Sequence, residues 1–92
     1  MPIPIKNARE IGQMRESCRA VAEILEQLKK FVQPGGTTRE VDLLAGNLIA
    51  DRGGKSPFLN YKGFPGHICI SVNEEVVHGI GGSCRIQFGD IV

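Results

Sequence analysis

The chain has 92 residues, 41% hydrophobic and 23% charged, which suits one small globular unit or a piece of a larger domain and excludes two independent domains. Eleven Lys and Arg against ten Asp and Glu leave a formal charge of +1, mixed in sign along the chain, so nucleic acid is not an expected partner. Cys18, Cys69 and Cys84 are widely spaced with no CxxC, which suggests neither a disulfide framework nor a thiolate zinc site. With no membrane-length apolar run and no signal-peptide pattern, the expectation is a soluble, unexported protein in the reducing cytoplasm, without a membrane partner.

Ile11, Met14, Cys18, Val21, Leu25, Leu28 and Val32 recur at steps of three and four, the spacing of one helical face. Asn7 and Glu10 form a capping-box pattern at the start of this helix, and Gln33-Pro34-Gly35-Gly36 ends it. Most of its charged residues fall off the stripe, as on a solvated face, and need no functional explanation. A second helix is predicted from about Thr38 to Asp51, capped by Thr37 or Thr38, with Val41, Leu44, Ala45, Leu48 and Ile49 inward and Gly53-Gly54 as its stop.

From Lys55 to Gly66 the pattern breaks into Pro, Gly and aromatic residues, which predicts a structured loop. Ile68 to Val72 alternates like a strand, Asn73-Glu74-Glu75 makes a turn, and Val76 to Ile80 reads as the returning strand. Gly81-Gly82 opens another turn, and Ile91-Val92 looks like the start of a further strand. If the hairpin loop holds an even number of residues, His78 shares a face with Cys69 and Ser71, while Ile68, Ile70 and Val72 point the other way. An odd loop reverses this. The three isoleucine and valine positions then need a covering layer, and a terminal strand would present an unpaired edge.

Phe58, Tyr61 and Phe64 are three of the five aromatic residues and lie together on the loop, where they either cover the core or line an apolar pocket. A lone histidine in a strand is either functional or simply packed, and Cys69 reads equally as a small buried hydrophobe. His67 and His78 are the only histidines, there is no HExxH, and Glu74 and Glu75 occupy a turn, so a self-contained metal site is not expected. Cys69 beside His78 lacks an evident third residue to orient a base, and the paired glycines have no strand-to-helix phosphate-loop context.

Asn60-Tyr61-Lys62-Gly63-Phe64-Pro65 and Cys69-Ile70-Ser71-Val72-Asn73-Glu74-Glu75-Val76-Val77-His78-Gly79-Ile80, behind two helices joined at Pro34-Gly35, resemble the front part of type I methionine aminopeptidases. The resemblance covers essentially the whole chain, and Ile70 to Gly79 is its most specific stretch. It implies an α/β (α+β) architecture, the N-terminal part of a pita-bread fold, with two helices packed on an antiparallel β-hairpin in a single partial domain over residues 1–92. The implied activity is removal of the initiator methionine from nascent cytosolic proteins near the ribosome, by an enzyme that is monomeric when complete. The implied cofactors are a pair of divalent ions, Co, Mn, Fe or Zn, whose ligands would lie beyond Val92, so this chain alone is expected to bind none and to be inactive.

On the substrate side, His78 matches the family histidine that hydrogen-bonds the scissile peptide and supports its transition state. Phe58, Tyr61, Phe64 and Cys69 match positions that line the methionine pocket together with it. Lys62 stands where some members have histidine and Phe64 where some have tyrosine, so the pocket rim differs in charge and lacks a hydroxyl. The competing reading is a truncated, non-catalytic peptide- or protein-binding module of the same fold. A plain structural α/β domain predicts no preference for methionyl peptides.

Overall fold

A computed structural model describes residues 2–92. Helix α1 spans Ala8–Phe31, and its capping box is complete: Asn7 Oδ1 accepts the Glu10 N–H at 2.9 Å while the Asn7 N–H donates to Glu10 Oε1 at 3.0 Å. Two orphan amides of the first turn are thereby satisfied. The helix ends because Val32 turns extended ahead of Pro34, and Gln33 to Gly36 close a turn through the Gly36 N–H and Gln33 carbonyl, with Gly35 at φ 95° where a side chain would be strained. Helix α2 spans Thr38–Asp51; of the two predicted caps Thr37 acts, its Oγ1 accepting the Glu40 N–H at 3.2 Å.

The helices pack through Ile24 and Leu28 of α1 against Val41 and Ala45 of α2, and Ile70 and Ile86 complete the cluster. Val41, Leu44, Ala45, Leu48 and Ile49 all lie in or against this core, as their spacing predicts. The α1 stripe is a different matter. Ile11, Met14, Cys18, Val21 and Leu25 are exposed, Val32 is half-buried, and only Leu28 of the stripe is buried, joined by Ile24. Length explains the first three: 14 residues of α2 reach about 21 Å and 24 residues of α1 about 36 Å, so the N-terminal half of α1 extends past its partner, whereas Leu25 is exposed because α2 packs on the neighbouring face of Ile24 and Leu28. An exposed Glu23–Arg52 ion pair bridges the two helices and contributes at most about 1 kcal/mol.

The predicted β-hairpin is corrected. Among the described residues no strand forms, and the only ladder element is an isolated antiparallel bridge between Thr37 and Arg85. The chain does fold back, with the Ile70 N–H on the Gly79 carbonyl at 2.9 Å and the Glu75 N–H on the Val72 carbonyl at 3.1 Å. Between those two bonds the outgoing side advances two residues, 70 to 72, and the return takes four, 75 to 79, so the return bulges at Val76 to His78. Side chains take the remaining partners: Val72 N–H donates to Glu75 Oε1 and Gly79 N–H to Ser71 Oγ. A continuous ladder is thereby prevented.

Ile70 and Val72 are buried and Ile68 packs on the core, so their cover comes from within the chain and not from an added layer. Ile91-Val92 is not a strand either; Ile91 pairs with Asn73, through its carbonyl to the Asn73 N–H at 2.8 Å and its own N–H to Asn73 Oδ1 at 2.9 Å. Residues 82–86 run back along the α1–α2 turn. There Gly35 N–H reaches the Ile86 carbonyl and Ile86 N–H the Gly36 carbonyl, both at 2.8 Å, while Thr38 N–H reaches the Cys84 carbonyl at 3.0 Å. No helix among the described residues is long and apolar enough to cross a membrane.

Candidate functional site

The bulge that spoils the hairpin also aims His78. Its backbone sits at φ 58°, a left-handed conformation that a histidine adopts only where its surroundings enforce it. The enforcing contact is at the next residue. Gly79 presses so closely on Ile70 that a Cβ there would come within 2.8 Å of the Ile70 carbonyl carbon and of Ser71 Oγ. With its N–H on Ser71 Oγ at 2.9 Å and its carbonyl on the Ile70 N–H, Gly79 is pinned on both sides. His78 is thus turned beside Cys69, Nδ1 to Sγ 3.7 Å. Cys69 and His78 therefore do lie side by side, as an even hairpin loop would have it, but through a bulge and not through a regular ladder.

An open cleft of about 640 Å³ is lined by Phe58, Cys69, Ser71, Val76, Val77 and His78, with Asn73, Glu75, Ile91 and Val92 at its end. Three of the expected substrate-side residues therefore meet: Phe58, Cys69 and His78. Phe64 does not line the cleft but supports it from behind, its ring centroid 6.2 Å from that of Phe58 at a tilt of 58°. Tyr61 stands apart, 62% exposed, with the Lys62 Nζ 5.5 Å from its ring centroid. The backbone explains this separation, because Asn60 and Lys62, at φ 65° and 48°, wind Tyr61–Gly63 into a single 3₁₀ turn that swings the tyrosine out.

Chemically the cleft offers apolar walls, one soft sulfur and one imidazole. His78 Nε2 has no hydrogen-bond partner among the described residues, so it is free to meet a peptide group placed in the cleft. No group of three or more His, Cys, Asp or Glu side chains among the described residues is arranged to hold a metal ion. These residues do not fit a divalent metal pair, since carboxylate or imidazole donors must converge on each ion.

Outside the cleft, Asp90 accepts Asn73 Nδ2 on Oδ1 at 3.0 Å and the Gln87 N–H on Oδ2 at 2.8 Å. The Asn73 bond first, and the Gln87 bond second, hold its carboxyl below the ordinary carboxylate range. A depressed folded value means that the contribution of Asp90 is present at neutral pH and is lost as the pH falls below about 4, through the lowered value. Asn73→Ala is expected to bring the Asp90 titration, followed by carbonyl NMR, back toward that of a free aspartate. An unchanged midpoint would assign the depression elsewhere.

One residue stands out that the sequence reading passed over. Asp42, on α2, is nearly buried, and its Oδ1 accepts the N–H groups of His67 at 2.9 Å and Ile68 at 3.0 Å while Oδ2 lies 3.0 Å from His67 Nδ1. An aspartate within the apolar pattern of a predicted helix was the available signal, because a buried carboxylate requires partners.

Residues 12–92 match the sequence profile of metallopeptidase family M24. The chain belongs to that family. It is 49% identical over 87 residues to methionine aminopeptidase 1 of Bacillus subtilis strain 168, an overlap covering 95% of this chain and 35% of that protein. Its fold matches the crystal structure of the methionine aminopeptidase of Rickettsia prowazekii with a TM-score of 0.93 and 35% identity, over 97% of this chain and 36% of that one. The methionine aminopeptidase of Thermotoga maritima gives a TM-score of 0.91 and 36% identity over the same shares, 97% and 36%. This M24 chain therefore has the architecture of the N-terminal portion of the pita-bread fold and spans about a third of the length of these relatives.

Proposed function

We propose that residues 1–92 are one partial domain of a metal-dependent methionine aminopeptidase, a metallo-exopeptidase that removes the initiator methionine from nascent proteins. The observation that carries this reading is the meeting of Phe58, Cys69 and His78 around one cleft, in a chain whose relatives are named methionine aminopeptidases. An apolar cleft with a sulfur in its wall suits an unbranched thioether side chain. His78 is the catalytic residue of this portion: its imidazole donates a hydrogen bond to the scissile carbonyl, where negative charge develops in the transition state. Phe58 and Cys69 grip the methionine side chain, Phe64 backs Phe58, and Tyr61, matched by resemblance to the pocket lining, belongs to the outer rim.

The cofactors of the full-length protein are two divalent ions, drawn from cobalt, manganese, iron and zinc, with ligands outside residues 1–92. Its partners are N-terminal methionyl peptides emerging near the ribosome, its compartment is the cytoplasm, and it acts as a monomer. Hydrolysis of Met-Ala-Ser with added cobalt or manganese tests the reading, with the 92-residue chain and the full-length protein side by side. Activity in the full-length protein alone supports it. Activity in the short chain would reveal a self-sufficient site, and inactivity in both, with retained binding of methionyl peptide, would point to a non-catalytic binding module.

A further inference from the structure

The aromatic loop is held shut at its base by hydrogen bonds that all lead to one carboxylate. Ser56 Oγ accepts the N–H groups of Phe58 at 3.1 Å and Leu59 at 3.4 Å and donates its own proton to the His67 carbonyl. His67 and Ile68 in turn hang by their N–H groups from Asp42 Oδ1, and the His67 ring faces Oδ2. Phe58 is thus tied to Ser56, Ser56 to His67 and His67 to α2, while Cys69 follows directly on Ile68. Both cleft walls are referenced to the same point on a rigid helix.

Packing leaves this arrangement no room to slide. A Cβ at Gly66 would lie 2.9 Å from Asp42 Oδ1, one at Gly46 2.8 Å from the His67 ring, and one at Gly81 3.0 Å from Asp42 Cβ. Three neighbours therefore close on the carboxylate and the imidazole without a side chain between them. The two amides that Asp42 satisfies sit at the strand-like segment leading into the cleft, so losing the carboxylate frees that segment as well as the loop.

We infer that Asp42, with Ser56 and His67, is a positioning residue that sets the separation of Phe58 from Cys69 and so the selectivity for the first side chain of the peptide. This rests on the aminopeptidase reading above. None of the three residues touches the reacting peptide; they act through the two walls. Widening the gap weakens the grip on an unbranched side chain and admits a branched one, while the bulge that carries His78 stays pinned further along by the bonds of Gly79 to Ser71 Oγ and Ile70.

The test uses the full-length protein and compares kcat/KM for Met-Ala-Ser with that for Leu-Ala-Ser. In Asp42→Ala the Met-to-Leu ratio is expected to fall about tenfold, with most of the change in KM for the methionyl peptide. Asp42→Asn, which keeps an oxygen for both amides, restores most of the ratio. Ser56→Ala, at a position outside the core and milder for folding, moves the ratio the same way by about threefold, and Ser56→Thr restores it. A ratio unchanged in Asp42→Ala and Ser56→Ala, or a drop in kcat equal for both peptides, overturns the positioning role while leaving the aminopeptidase reading standing. A wild-type protein inactive on both peptides overturns that reading and the selectivity claim with it.

Discussion

His78→Ala in the full-length protein is expected to lower kcat on Met-Ala-Ser by about 10²–10³-fold while KM moves by less than about threefold. The direction follows from the geometry. His78 projects into the cleft from a bulged, left-handed backbone, with Nδ1 against Cys69 Sγ at 3.7 Å and Nε2 open. A donor fixed in that way costs no reorganisation when charge develops on a peptide oxygen, so its removal weakens the transition state more than the bound substrate. Steady-state kinetics on purified protein decide it. A rise in KM with kcat intact would instead make His78 a binding residue only.

Gly79→Ala is expected to be the most damaging small substitution, lowering stability by about 3 kcal/mol and kcat along with it. The added methyl meets main chain that cannot swing aside: the Ile70 carbonyl oxygen is its nearest neighbour and the carbonyl carbon stands 2.8 Å away, with the Ser71 side-chain Oγ also at 2.8 Å. Relief requires parting the Ile70–Gly79 hydrogen bond, and that bond holds the bulge which turns His78 toward Cys69. The shift in urea midpoint measures the loss. Gly82→Ala is the control, because a Cβ there meets nothing nearer than 3.9 Å. A similar small shift in both variants would show that the return can relax away from Ile70 and that the close approach does not hold His78.

The two predictions separate chemistry from support. Truncating His78 removes a donor from an exposed side chain and leaves the core of Ile24, Leu28, Val41, Ala45, Ile70 and Ile86 untouched. Altering Gly79 disturbs the backbone beside Ile70, which belongs to that core. Stability and kcat therefore fall together for Gly79, whereas kcat alone falls for His78.

Local chemistry made the helices legible in the sequence. Asn7, Glu10, Pro34-Gly35, Thr37 and Gly53 act within a few residues of themselves, and the elements they bound are Ala8–Phe31 and Thr38–Asp51. Alternation between 68 and 72 likewise identified Ile70 and Val72 as inward residues. It could not foresee that the return would take two residues more than the outgoing segment, because a ladder and a bulge share the same apolar pattern and differ only in where the amides go. Nor could periodicity tell which part of the α1 stripe is covered, since that depends on how far α2 reaches alongside it and on which face it packs.

Asn60 to Pro65 and Cys69 to Ile80 carried the family resemblance, with Cys69 and His78 as chemical residues of the second stretch; parity put those two on one face only for an even loop, and the bulge at Val76 to His78 is what brings them together. Tertiary structure alone decided that Phe58 joins them while Phe64 stands behind and Tyr61 swings out, through the left-handed turns at Asn60 and Lys62. It alone also joined Asp42 to His67 across 25 positions and Gly35 to Ile86 across 51, 86 minus 35. Such contacts depend on where two distant backbones come to lie, and no spacing along one strand or helix encodes that.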